Sequence, residues 1–137
     1  MRIAAFLKPI FIFIFFQSCK DHISIETMYF ENGKIKSEIT YKDSLKFGKA
    51  RYYYSNGFLK EELTYENNII QGKYISFDDE GFVSFTGQFI NGYAVGPLYY
   101  YKKGRLVLYN ERNFAGDIYF VRKYDLTTQH LIKEEGV

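Results

Sequence analysis

The chain has 137 residues, enough for one small domain, and its 25% charged residues mark it as globular rather than disordered. Fourteen Tyr and fourteen Phe against two Pro favour strands, because aromatic rings suit a pleated, half-buried surface. Arg2 and Lys8 are the only charges before Cys19, so the remainder carries 16 basic and 16 acidic residues. That balance excludes the basic footprint of a nucleic-acid binder, and a single cysteine excludes an internal disulfide or a Cys-based metal site.

Residues 1–18 differ from everything that follows. Arg2 and Lys8 precede an unbroken apolar run, Pro9 to Phe16, which has the form of a secretory signal peptide. The run is too short to span a hydrocarbon core of about 30 Å, which takes roughly 20 apolar residues. Phe16-Gln17-Ser18-Cys19 resembles the lipobox of bacterial lipoproteins, although Leu is commoner at its first position and a small residue at its second. The resemblance implies a lipid on Cys19, membrane attachment through that lipid, and a place in the cell envelope, at the outer membrane or cell surface rather than the inner membrane. Residues 19–25 are then expected to be a solvated tether.

From residue 26 to residue 116 the chain repeats itself. Gly33, Gly57, Gly81 and Gly104 recur at spacings of 24, 24 and 23. Four positions before each stands Tyr29, Tyr53, Phe77 or Tyr100, and two positions after each stands Ile35, Leu59, Val83 or Leu106. Gly48, Gly72 and Gly96 close the first three units. Asn32-Gly33 and Asn56-Gly57 between apolar alternating runs predict two-residue type I′ turns, and the glycine-closed stretches such as Lys42 to Gly48 predict longer ones. The fold class expected is all-β: an antiparallel meander of serial β-hairpins that grows in one direction. Alternation along the strands assigns Ile39, Leu63, Phe85, Tyr99 and Tyr101 to a core face. Arg51, Tyr53, Glu62 and Tyr100 fall on the opposite, polar face, with Arg51 and Glu62 placed for a cross-strand ion pair. Residues 117–137 leave the register; Ile118 to Val121 and His130 to Ile132 are expected to form a capping hairpin about a turn at Asp125.

Tyr53-Tyr54-Ser55-Asn56-Gly57-Phe58-Leu59-Lys60-Glu61-Glu62, then Tyr65-Glu66-Asn67-Asn68 and Gly72-Lys73-Tyr74, resembles the MORN-type repeat of bacterial YwqK-like proteins. Phe89-Ile90-Asn91-Gly92-Tyr93-Ala94-Val95-Gly96 is similar to another part of that repeat. The resemblance is good over three units and poor in the fourth. It implies serial hairpins and a scaffold or interaction role; some relatives carry the label antitoxin, and MORN repeats elsewhere are linked to membrane or protein contact.

No catalytic constellation stands out, so the chain is not expected to be an enzyme or to carry a cofactor. His22 and His130 fall in the tether and the cap, away from any Ser/His/Asp arrangement. Asp78-Asp79-Glu80 lies at a turn, where acidic residues solvate a loop more often than they hold a metal, and no metal site is expected. Tyr53 and Tyr100 are the candidate binding residues, because a ring on a polar face can anchor a partner. The expectation is a lipid-anchored module that binds a protein, or a glycan, with a toxin-neutralising antitoxin or immunity-like protein as the alternative.

Overall fold

The computed structural model describes residues 22–112 and 117–136, so residues 1–21, with Cys19, lie outside what is described. Eleven strands follow one another: β1 (Ile23–Tyr29), β2 (Ile35–Lys42), β3 (Leu45–Tyr53), β4 (Leu59–Glu66), β5 (Ile69–Ile70) and β6 (Gly72–Phe77). They continue as β7 (Val83–Ile90), β8 (Tyr93–Lys102), β9 (Arg105–Arg112), β10 (Ile118–Tyr124) and β11 (Leu131–Gly136). All pair antiparallel with their sequence neighbours in one open sheet, with β5 a short extension beside β4. No helix occurs among the described residues. The expected all-β meander is the fold, and β10 and β11 form the terminal hairpin. Strand β1 begins at Ile23, inside the expected tether, because Ile23 already pairs with Lys42.

The two kinds of turn exchange places relative to the expectation. At Asn32-Gly33 the loop has three residues: Gly33 N donates to Phe30 O at 3.0 Å and Phe30 N to Lys34 O at 2.8 Å. Only the glycine has positive φ, +78° at Gly33 and +99° at Gly57. This is a type I turn closed by a left-handed residue, and it shifts the register so that Tyr29 pairs with Ile35 and Tyr53 with Leu59. The asparagine side chain holds it, since Asn32 Oδ1 accepts from Lys34 N at 3.1 Å and Asn56 Oδ1 from Phe58 N at 3.0 Å. The two-residue turns with both φ positive are Asp43-Ser44, Asn67-Asn68, Asn91-Gly92 and Lys103-Gly104. Asn and Asp tolerate the left-handed region through local hydrogen bonds, so a turn there needs less glycine than the sequence pattern suggests. Gly48, Gly72 and Gly96, all at positive φ, mark the register shifts that follow the first three.

The buried part of the sheet is a narrow row. Ile39 pairs with Ala50 and Ala50 with Leu63, at 7%, 1% and 2% exposure. Tyr41, Tyr52, Tyr65, Ile70 and Tyr74 pack against this row. With no second layer among the described residues, tyrosine rings supply the cover. Further along, Tyr74 pairs with Gly87 and Leu98 with Asn110. Gly87 has no left-handed φ; its role is room, because an added methyl would stand 2.6 Å from Leu98 Cδ2 and 3.0 Å from Phe85 Cζ. Replacing Gly87 by Ala is therefore expected to lower stability by about 1–3 kcal/mol, the usual range for overpacking. Urea denaturation of Gly87→Ala checks this; an unchanged midpoint would mean that Leu98 moves aside without strain.

Candidate functional site

The polar face can be followed across the whole sheet. Thr27, Glu38, Arg51, Glu62 and Ile75 are successive cross-strand partners, and Thr86, Tyr99, Tyr109, Arg122 and Glu134 continue the line. Its first half is charged. Arg51 Nε donates to Glu62 Oε2 at 2.8 Å, the ion pair expected from the sequence, and Lys49 Nζ stands 3.6 Å from Glu62 Oε1. The Arg51 hydrogen bond, followed by the Lys49 charge, holds the Glu62 carboxyl below its ordinary value. Both partners are partly exposed, so the pair trims the surface more than it stabilises the fold.

Tyr53 lies on this face as expected, but its hydroxyl is already engaged, donating to Glu38 Oε2 at 2.6 Å. Burial, then the Glu38 hydrogen bond, pushes its pKa up to about 12. The ring is half-buried and held in place by that bond.

Tyr100 does not join it. It pairs with Phe85 and Leu108, and its ring centroid is 5.0 Å from that of Phe85, on the same side as the buried row. The polar face is taken instead by Tyr101, which pairs with Leu106 as Tyr53 does with Leu59, and by Tyr99, which pairs with Thr86 and Tyr109; both were expected on the core face. The cause is a shortened loop. Tyr29, Tyr53, Phe77 and Tyr101 are equivalent in pairing, with Ile35, Leu59, Val83 and Leu106 as partners, and they recur at a strict 24-residue interval. The fourth turn, Lys103-Gly104, has lost one residue, so counting back from its glycine puts every tyrosine one place out of phase.

The second half of the polar face is aromatic. Tyr99 and Tyr109 rings lie 5.1 Å apart and Tyr109 and Phe120 lie 6.5 Å apart. The Arg122 guanidinium sits 4.8 Å from the centre of the Phe120 ring and 5.8 Å from that of Tyr109, while pairing with Glu134 at 3.3 Å. Tyr109 donates to Glu111, and burial with that bond pushes its pKa up to about 12. Beside this strip, Lys73, Thr86, Gln88, Pro97 and Tyr99 line a shallow depression of about 220 Å³. Apart from Tyr99, misassigned to the core, the aromatic strip of Tyr109, Phe120 and Arg122 escapes sequence reading because it falls where the repeat loses its signature. Alignment on the strands, rather than on the turn glycine, would find Tyr99.

Among the described residues, no three His, Cys, Asp or Glu side chains stand together as a metal site. Asp78 caps its own turn, accepting from Phe82 N at 2.8 Å and Glu80 N at 3.1 Å. His22 and His130 are both exposed, at opposite ends of the sheet.

Residues 25–43 and 48–67 match the MORN repeat variant. No curated protein matches the chain. Two solved structures are similar over 82% of the chain at 19% identity. One is a glycosylation-associated protein complex from Streptococcus agalactiae, with a TM-score of 0.48; the other, accessory secretory proteins 1, 2 and 3 of Streptococcus pneumoniae, has a TM-score of 0.31. The chain spans 21% and 19% of the lengths of the chains it matches there.

Tyr53, Tyr65, Tyr74 and Tyr109 all have pKa values raised from 10.0 to about 12, burial being the first cause in each. The fold thus favours their neutral forms. Their contribution is complete below pH 10, where the unfolded chain is also protonated, and is lost as pH rises from 10 to 12. A tyrosinate absorbance titration beside thermal unfolding should show delayed ionisation and a falling midpoint across this window. Ionisation of all fourteen tyrosines at the free value, without change in the midpoint, would contradict it.

Proposed function

We propose that this chain is a non-catalytic, protein-binding module of the cell envelope, held to the membrane by a lipid on Cys19. One observation supports the binding reading most: the single-layer sheet presents a polar face whose far half gathers Tyr99, Tyr109 and Phe120 around Arg122. Aromatic rings with an arginine are the side chains that protein interfaces favour, because they bring large, rigid contact area together with directed hydrogen bonds. Tyr53, pinned to Glu38 on the same face, extends the surface towards the first repeats. Tyr100, on the opposite face, is left to packing.

The location rests on the sequence before residue 20: two basic residues, an apolar run, and a cysteine after Phe16-Gln17-Ser18. A module of this kind, anchored at the outer membrane or cell surface, needs no chemistry of its own. YwqK-like relatives labelled antitoxin suggest one particular partner, a toxin; the present reading asks only for a protein surface that fits the aromatic strip.

Affinity capture from envelope extract tests the binding face. Tyr99→Ala with Tyr109→Ala is expected to reduce recovery of the partner by about tenfold or more, as for central interface anchors, while Tyr100→Ala leaves it unchanged. Circular dichroism of each variant confirms that the sheet is intact. Equal recovery by all variants would sink the assignment, and recovery of a toxin would select the immunity-like form of it. Mass spectrometry of the membrane fraction is expected to show an acylated Cys19 as the first residue; an intact Met1 on soluble protein would remove the anchor.

A further inference from the structure

The margin that carries the two-residue turns also carries a line of exposed apolar side chains. Leu45, Ile69 and Tyr93 each follow such a turn, 24 residues apart, and are 40%, 48% and 68% exposed. Strands lie about 4.8 Å apart, so a two-strand repeat sets these side chains at intervals of about 10 Å. Ile90, the partner of Tyr93, adds to the same margin at 39% exposure. Single exposed apolar residues are ordinary; a regular line of them at turn positions, which usually carry polar groups, marks a contact surface.

The entry of the chain into the sheet says what lies beneath that line. Asp43 N donates to His22 O at 3.0 Å, and His22 N donates to Asp43 Oδ1 at 3.2 Å. The chain therefore enters at this margin, beside the first of these turns and three residues after Cys19. Three extended residues reach about 10 Å, no more than one repeat interval. An anchor on Cys19 thus holds this margin, and not the opposite one, against the membrane.

We propose that the margin rests on the lipid surface, with Leu45, Ile69 and Tyr93 entering the headgroup boundary and both sheet faces standing clear of it. The inference rests on the anchoring of Cys19. Tyr93 suits that boundary, where an amphipathic ring can place its hydroxyl at headgroup level. Charges at the margin are balanced among Lys42, Asp43, Lys46 and Glu66. The Lys42 and Lys46 ammoniums lie over the rings of Phe47 and Tyr65, at 5.5 and 5.1 Å. The contact is therefore apolar and needs no anionic lipid. At the opposite margin Phe58 and Phe82 are as exposed, at 51% and 45%, but their rings lie over Gly81 and Gly104 of the following turns. They serve as controls.

The full chain, purified from membranes and reconstituted in vesicles of phosphatidylcholine alone, is labelled with an environment-sensitive fluorophore at single cysteines: Leu45→Cys, Ile69→Cys, Tyr93→Cys, Phe58→Cys or Phe82→Cys. An acylated Cys19 has no thiol to label. The expected result is flotation of all five with the vesicles, with a blue shift and quenching by brominated lipid at positions 45, 69 and 93 and neither at 58 and 82. Flotation with all five probes in water, or with all five equally shifted, overturns the orientation and leaves the anchor standing. Failure to float, with no lipid found on Cys19, overturns the anchor and this inference with it. Cross-linking of copies through positions 45 and 69 would assign the line to self-contact and overturn the lipid assignment.

Discussion

Hydrogen bonds from each turn to the turn one repeat away are the constraint on which this sheet depends. A single layer has no opposing sheet to fix the position of its hairpins, so each must be held by its neighbours in sequence. On one margin Asn32 Nδ2 donates to Ser55 O at 2.9 Å and Asn56 Nδ2 to Asp79 O at 2.8 Å. Where the asparagine is replaced, an ion pair of Glu80 with Lys103 at 3.8 Å continues the line, and Arg105 reaches Leu126 O at 2.9 Å in the terminal hairpin. On the other margin Asn68 N bonds Lys46 O at 3.0 Å and Lys46 N returns to Asn68 Oδ1 at 2.9 Å. Gly92 N bonds Ile70 O and Asn91 N bonds Gln71 Oε1, at 2.9 and 2.8 Å. Each bond contributes about 1 kcal/mol, and their repetition couples every hairpin to the next one along the sheet.

This arrangement explains why so many tyrosines are needed and why few are available for binding. The buried row holds small or slender residues, and rings from neighbouring repeats lie over it. Where a ring is itself in the row, as at Tyr74, the partner shrinks to Gly87. Tyr74, Phe85 and Tyr100 then make a continuous ring contact on that side, at 5.6 and 5.0 Å. The proposed binding strip lies on the other side, past the point where Arg51 and Glu62 give way to Tyr99 and Tyr109. One fold thus separates the packing aromatics from those of the proposed strip by strand parity.

Much of this was legible in the sequence. The interval, the hairpins and the Arg51–Glu62 pair all follow from side-chain alternation and turn composition. The turn types were not, because Asn-Gly serves equally well as a two-residue turn or as the end of a three-residue one. Choosing between them requires knowing that Asn32 and Asn56 spend their side chains on Lys34 and Phe58 and on the next repeat. Tyr100 was misplaced for a related reason. Strand pairing keeps the 24-residue interval while the last loop is shorter by one residue, and a one-residue slip exchanges the faces. The Arg122 and Phe120 contact was hidden by the loss of the repeat signature after Asn110, itself buried at 4% exposure between Leu98 and Val121.

Native-state hydrogen exchange of the turn amides tests the stapled-repeat account most directly. Amides at exposed hairpin tips ordinarily exchange at once, whereas here Asn68 and Gly92 donate across a full repeat. The account predicts that both are protected to the same degree as the ladder amides of β4 and β7, and that they open only with the whole sheet. Rapid exchange at Asn68 and Gly92, with the ladder still protected, would show hairpins held by strand pairing alone and would contradict it.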